Sequence, residues 1–372
     1  MLLGAGESSR FGLKVKKQWL RVGKKPLWLY VTNRFDSFYH FKKVLIVAHK
    51  DEIRFMQKLS DHTFVEGGKS RTQSLLNALK EVDTPYVLVS DIARACIKKE
   101  MVEKIIDSIG EADCAAPYIK VHDTVVYKNE TVNRDEVKLI QTPQLSKTDT
   151  LTKALKSFPE STDESGAILK AGGRVVYIKG SPDYHKLTTA EDINKLSCLE
   201  PPAKITMCGS GFDVHPYQSD SKMFLGGVKV SEEYGLAGHS DADAAIHAII
   251  DALLGAAGLG DIGELFPDSD DSYKGADSAV LLAKTKRLLD SLGFVINNVD
   301  LTIIAQKPKI SPFKNQIRKR LCEILELDRS FINIKATTAE KMGFIGREEG
   351  LAAMATASLE FFDWTKEAGS VS

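Results

Sequence analysis

The chain has 372 residues, 43% of them apolar and 27% charged; that length suits two domains with separate cores and excludes a disordered chain. Fifty Lys+Arg balance fifty Asp+Glu, so no whole-chain charge argues for a nucleic-acid binder or a polybasic membrane protein, and no run of about 18 apolar residues offers a bilayer span. The five cysteines are scattered without a C-x-x-C, and the start Met1-Leu-Leu-Gly-Ala-Gly-Glu carries no secretory pattern, so a reduced, cytoplasmic protein is expected.

The first half alternates short apolar runs with amphipathic stretches. Strands are expected at Lys43–Ala48, Tyr86–Ser90, Asp113–Pro117 and Arg174–Ile178, and helices near 50–59, 69–82, 98–110 and 147–157. Val44–Val47 and Val87–Val89 are apolar at every position, as in strands buried on both faces. The alternation predicts an α/β fold with a mostly parallel sheet, whose ligands bind at the carboxyl ends of the strands. Pro201-Pro202 cannot continue a helix; it places a linker at 200–204 between domains at 1–199 and 205–372. Residues 1–203 carry 32 basic and 26 acidic side chains, the remainder 18 and 24. That split suits a basic half that handles polyanions and an acidic half that holds cations, against the plain alternative of chance and solubility.

At the first strand end lies Leu3-Gly-Ala-Gly-Glu-Ser-Ser-Arg-Phe-Gly12. It is neither a Walker loop nor a dinucleotide fingerprint, since no Gly-Lys-Ser/Thr follows and Ser9 replaces the third glycine. Such a loop can wrap phosphate with backbone N–H groups. Lys14, Lys16 and Lys17 crowd beside it, which is costly unless an anion neutralises them; a solvated basic turn is the plain alternative.

In the second half, Gly209-Ser-Gly-Phe-Asp-Val-His-Pro-Tyr217 puts Asp213 and His215 on one side of an extended strand. In Ala237-Gly-His-Ser-Asp-Ala-Asp-Ala-Ala-Ile-His247, Ser240 is a plausible N-cap for a helix over 241–257, and His247 falls one turn after Asp243. An Asp/His/His set leaves one tetrahedral position open, as a catalytic zinc requires. Further helices are expected near 277–292 and 311–327, and strands at Asp300–Ile304, Phe331–Lys335 and Ala352–Phe361.

The ordered series Gly4-x-Gly-x-Ser-x-Arg10, Lys17-Gln18, Gly67-Gly68-x-x-Arg71-x-x-Ser74, Val89-Ser-Asp-Ile-Ala-Arg94, Gln141-Thr-Pro-Gln144 and Thr162-Asp-Glu164 resembles 2-C-methyl-D-erythritol 4-phosphate cytidylyltransferase over about 1–198. The resemblance implies a Rossmann-like nucleotidyltransferase domain with a β-hairpin arm near 119–143, turning at Asn129-Glu130. It implies transfer of CMP from CTP to methylerythritol phosphate with release of pyrophosphate. Arg10 and Lys17 match the groups that stabilise transition-state charge, and Asp91 matches the Mg²⁺ ligand. Gly4, Ala5, Gly6, Gly68 and Ser74 match the nucleotide site. Arg94, Thr124, Arg134 and Lys186 match the grip on methylerythritol phosphate, some of it delivered across a dimer. Gly4 stands for a usual Ala, Lys69 for a common acidic residue, and Ala95-Cys96 lacks a frequent proline.

Downstream, the strand and helix above join Gly260-Asp-Ile-Gly-Glu-Leu-Phe-Pro-Asp268, Ala305-Gln-Lys-Pro-Lys309, Lys335–Phe344 and Gly346–Gly350. This series resembles 2-C-methyl-D-erythritol 2,4-cyclodiphosphate synthase across about 204–363. It implies a smaller α/β domain with a mixed sheet that forms trimers, and ring closure of the CDP-methylerythritol 2-phosphate with loss of CMP. By resemblance Asp213, His215 and His247 hold zinc, and Glu340 holds a second divalent ion, Mg²⁺ or Mn²⁺. His239 and Ser240 orient the terminal phosphate, while Asp261, Gly263 and Asp268 meet the methylerythritol hydroxyls. Ala305, Lys307, Lys309, Ala336, Thr337 and Thr338 form the cytidine and phosphate site, and Arg347 lies near the trimer axis. A dimerising first domain and a trimerising second one imply a homohexamer. Two other readings are one active domain beside a silent nucleotide-binding scaffold, and a nucleotidyltransferase for another sugar phosphate.

Overall fold

A computed structural model describes residues 1–238, 240–267, 269–270, 273 and 275–368. Contacts group Met1–Pro202 with the chain's end from Asp363 into one compact unit and Ala203–Phe362 into another. Trp364, in the helix Trp364–Ala368, is buried in the first unit, and its indole donates to the Arg21 carbonyl at 2.7 Å.

The first unit is built on an eight-stranded sheet. Its order runs Lys138–Ile140, Cys114–Lys120, Gln144–Lys147, Tyr86–Asp91, Leu2–Leu3, Leu45–Ala48, Thr63–Glu66, with Val175–Lys179 also paired to Cys114–Lys120. Leu45–Ala48 is buried at all four positions, as its unbroken apolar run requires. The sheet is mixed, with four of its seven strand pairings parallel, and Gln144–Lys147 enters antiparallel between two neighbours. That four-residue strand has no alternating pattern to announce it.

The expected helices form as Lys50–Gln57, Arg71–Leu79, Lys99–Ser108 and Thr148–Ser157. Two further helices lie outside the sequence expectations. Leu27–Phe38 buries Leu27, Trp28, Val31 and Phe35 at helical spacing, and the short Glu164–Lys170 is capped by Asp163, which accepts from the Gly166 N–H at 3.3 Å. Leu75, Leu79, Val87, Val89, Leu151, Leu155 and Ile168 share one core between this sheet and its helices.

Val125–Tyr127 and Glu130–Val132 pair antiparallel as the expected hairpin. Its turn falls at Lys128-Asn129, one residue early, with both residues at positive φ, the geometry a two-residue hairpin turn demands. Cys96 and Cys198 are joined in a disulfide across 102 residues, which corrects the expectation of reduced thiols. No local spacing could reveal it. The Leu187 N–H donates to the Ala93 carbonyl at 2.8 Å and so brings the two distant segments together.

The second unit holds a five-stranded mixed sheet in the order Tyr234–Leu236, Met207–Ser219, Gly350–Phe361, Phe294–Ile304, Ile332–Thr337. Only the last pair is parallel. Helix Ala244–Ala257 lies against Met207–Ser219 and Gly350–Phe361. Glycine makes that approach possible: a Cβ at Gly211 would sit 2.0 Å from the Ala248 carbonyl oxygen and one at Gly209 2.2 Å from that of Ala252. The helix is capped by Asp243, whose carboxylate accepts from the Ile246 N–H at 3.1 Å, so it starts later than a Ser240 cap would place it. On the opposite face of the sheet Phe212, Val214 and Met354 stay exposed. Among the described residues no helix is long and apolar enough to cross a membrane.

Candidate active sites

In the first unit the strand ends enclose a cleft of about 680 Å³. The loop after Leu2–Leu3 forms its floor, tied down where the Gly4 N–H donates to the Val47 carbonyl at 2.8 Å. Gly67 packs so close to this loop that a Cβ there would lie 2.3 Å from that of Ala5. The Gly68 N–H donates to Ser74 Oγ at 2.9 Å, which sets the opposite wall. Gly4, Ala5, Gly6, Arg10, Lys17, Gly68, Ser74, Asp91 and Lys186 all line the cleft, so nine expected residues meet in one place.

Asp91 ends its strand and is buried. Its Oδ2 lies 2.9 Å from Lys186 Nζ. Burial pushes the Asp91 carboxyl up, but Lys186 and Arg71 hold it below the ordinary carboxylate range. Lys17 is lowered, first by burial and then by the nearby Lys186 and Arg10, against the pull of Asp91. Cations crowded in this way gain from a polyanion between them.

Arg94, Thr124 and Arg134 do not line this cleft. The Arg94 guanidinium donates to the Tyr184 carbonyl, while Thr124 and Arg134 are exposed beside the hairpin. Arg71 and Glu164 carry no expected role, although both stand in the sequence motifs. Arg71 lines the cleft, and its Nη1 lies 2.8 Å from Oε1 of the fully buried Glu164.

In the second unit Asp213, His215 and His247 converge. Asp213 Oδ2 stands 2.9 Å from His215 Nε2 and 3.0 Å from His247 Nδ1, and the two imidazole nitrogens are 3.3 Å apart. Burial raises the Asp213 carboxyl, yet the two imidazoles hold it well below its usual range. Burial works to lower His215, but its bond to Asp213 outweighs this and the imidazole is raised. These ligand atoms lie within 4.8 Å of one another, and the far nitrogens of both rings are already engaged. His215 Nδ1 donates to the Ala237 carbonyl at 2.7 Å, and His247 Nε2 meets Ser278 Oγ at 3.0 Å and Ser240 Oγ at 3.2 Å. Each ring therefore turns its other nitrogen to one point. One carboxylate and two oriented imidazoles fit a divalent metal with a free coordination position. Ser278, which also donates to Asp241, is absent from the sequence expectations, since a serine 31 residues beyond His247 carries no motif.

A second group gathers at the ends of two parallel strands. Ile304 is in register with Thr337, and the Ala305 N–H donates to the Thr337 carbonyl at 3.0 Å. Ala305, Ala336, Thr337 and Thr338 are thus neighbours, whereas Lys307 reaches across to the strand Met207–Ser219: the Tyr217 hydroxyl donates to the Lys307 carbonyl at 2.5 Å, and Lys307 Nζ stands 5.6 Å from the Tyr217 ring. Lys307 pairs with Glu348 at 2.9 Å. Glu340 is exposed at positive φ and accepts from Thr338 Oγ1 at 2.9 Å. Asp213 is in register with Ala353, that with Ile303, and that with Ala336. Three strand spacings, about 14 Å, therefore separate Ala336 from Asp213 within one chain. Asp261 caps the short helix Ile262–Leu265, and it and Gly263 are not buried. Arg347 is exposed and paired with Glu349 at 2.8 Å. His239 and Asp268 lie outside the described residues.

Both halves match known families. The family model for 2-C-methyl-D-erythritol 4-phosphate cytidylyltransferase covers residues 1–198, and that for the YgbB family covers 206–360. The bifunctional enzyme IspD/IspF of a Nitratiruptor species is 60% identical over 366 residues, 98% of each chain. The chain belongs to the bifunctional IspD/IspF family. The Sulfurimonas denitrificans relative is 53% identical over 98% of this chain and 95% of its own. The solved structure of the bifunctional IspDF from Campylobacter jejuni matches with a TM-score of 0.89 and 44% identity over 98% of both chains. In IspD/IspF terms, the cation-lined cleft belongs to the cytidylyltransferase half and the Asp/His/His cluster to the cyclodiphosphate synthase half. Both halves are enzymes by family, which favours two activities over a silent scaffold.

Proposed function

We propose that the two reactions of this bifunctional isoprenoid-precursor enzyme run at two chemically independent sites, one in each unit. The observation that carries the reading is that each unit has its own convergent polar cluster, built from unrelated chemistry.

In the first site a phosphate oxygen of methylerythritol 4-phosphate attacks the α-phosphorus of CTP, and pyrophosphate leaves. Arg10 and Lys17 offset the charge that builds on the phosphoryl oxygens, a role that fixed cations fill without reorganising. Gly4, Ala5, Gly6, Gly68 and Ser74 hold the nucleotide, and Asp91 takes Mg²⁺, a cation that prefers oxygen donors. Arg94, Thr124, Arg134 and Lys186 hold the alcohol phosphate. The exposure of Thr124 and Arg134 beside the hairpin supports their delivery to the cleft of a second copy.

In the second site the 2-phosphate attacks the β-phosphorus of the same molecule's cytidine diphosphate, and CMP leaves. Attack within one bound molecule depends chiefly on positioning. Asp213, His215 and His247 hold Zn²⁺, which when bound polarises a phosphate oxygen as a Lewis acid. Glu340 takes a second divalent ion, Mg²⁺ or Mn²⁺. His239, Ser240, Asp261, Gly263 and Asp268 position the methylerythritol diphosphate end. Ala305, Lys307, Lys309 and Ala336–Thr338 receive the cytidine end. The separation of Ala336–Thr338 from Asp213 within one chain supports a site completed by a neighbouring copy. The exposed apolar sheet face supports a trimer with Arg347 near its axis, and with a dimeric first unit the assembly is a hexamer in the cytoplasm.

Lys17→Ala is expected to lower CMP transfer by about 10²- to 10³-fold and spare cyclisation. His247→Ala should do the reverse and release zinc, read by metal analysis. Loss of both activities in either folded variant would end the two-site reading.

A further inference from the structure

Arg71 and Glu164 stand in the sequence motifs without an expected role, and their placement points to how Asp91 is kept ready for a cation. The Asp91 carboxylate is split in use. Oδ2 takes Lys186 Nζ at 2.9 Å and a longer contact from Thr142 Oγ1 at 3.4 Å. Oδ1 faces Arg71, but at 4.0 Å from Nε, beyond a hydrogen bond. The guanidinium is held back because Nη1 is engaged by Glu164 Oε1 at 2.8 Å. Glu164 is fully buried at the start of its helix, fixed there by the Asp163 cap and by Gln144, whose Oε1 accepts from the Ser165 N–H at 2.8 Å. Glu164 is thus an immobile carboxylate competing with Asp91 for one arginine.

We propose that Glu164 is a positioning residue that holds Arg71 off Asp91, leaving Asp91 Oδ1 open to the divalent cation that accompanies CTP. Arg71 carries a planar fork suited to gripping a carboxylate through two N–H groups. Without the Glu164 charge, nothing equally buried opposes its closing onto Asp91, and both carboxylate oxygens would then be occupied. The proposal rests on the reading of Asp91 as the cation-holding carboxylate in the first site.

The test is equilibrium binding by calorimetry on the full-length protein, comparing affinity for Mg²⁺·CTP with affinity for metal-free CTP. Glu164→Gln keeps the size of the side chain and removes its charge. It is expected to cut the preference for Mg²⁺·CTP by about tenfold, the scale of one charge-assisted contact, while metal-free CTP still binds and so reports an intact cleft. The double variant Arg71→Met/Glu164→Gln removes the competitor and is expected to restore the preference to within about threefold of the parent, a rescue that a merely structural role would not produce. An unchanged preference in Glu164→Gln, or no rescue in the double variant, overturns the proposal. Asp91→Asn separates the two levels. If it retains the full preference, the reading of Asp91 falls; if it loses the preference while Glu164→Gln does not, only the role of Glu164 falls.

Discussion

The two imidazoles of the second site use opposite nitrogens toward Asp213: His215 presents Nε2 and His247 presents Nδ1. The choice is set by what holds the other nitrogen, a backbone carbonyl in one case and two serine hydroxyls in the other. Such partners fix ring orientation and hence metal affinity. Ser278→Ala removes the shorter of the two serine contacts and should weaken zinc binding by about tenfold, measured by competition with a chelating dye; unaltered affinity would mean that Ser240 alone orients the ring. The orientation of His215 has no such side-chain dependence, since its partner is main chain. The shared side of Asp213 and His215 is legible in the sequence, because the two obey the period of a strand. Ser278 is not, because only packing of the helix Ser278–Ser291 against Ala244–Ala257 delivers it.

At the scale of elements, the segment that follows Asp91 and the segment that carries Lys186 are bound to one another twice, by the Leu187–Ala93 backbone bond and by the Cys96–Cys198 disulfide. A covalent link across 102 residues restricts the unfolded chain strongly, by up to about 4–5 kcal/mol in the loop-entropy account. Reduction should therefore lower the unfolding transition of the first unit and leave that of the second in place. Calorimetric scans with and without a dithiol check this, with Cys96→Ser expected to behave as the reduced parent under both conditions. A first-unit transition indifferent to reductant in the parent would count against the crosslink. The helices are largely legible from apolar spacing and caps. The strand Gln144–Lys147 is not, because its burial on both faces comes from neighbours remote in sequence.

At the scale of the whole molecule, the second unit covers one face of its sheet with helices and leaves the other with exposed Phe212, Val214 and Met354. Phe212 and Met354 are register partners on adjacent strands, so the exposure is a continuous patch, of the kind that marks an association surface. Phe212→Asp places charge on that patch without touching the packed face. It is expected to dissociate the proposed trimer, read by sedimentation, and to abolish cyclisation, while each unit keeps its circular dichroism. Retained assembly size would move the interface elsewhere.

The sequence by itself determined the two families and the two reactions, because the order of motifs survives in the chain. Local periodicity also determined most helices and the paired orientation of Asp213 and His215. Only the tertiary structure decided which carboxylate faces which cation, as with Arg71 between Glu164 and Asp91, and which cysteines meet. It also decided that Gly209 and Gly211 let a helix bring His247 to Asp213 and His215. These are relations between segments far apart along the chain, and their energies depend on distance and burial, which no local pattern encodes.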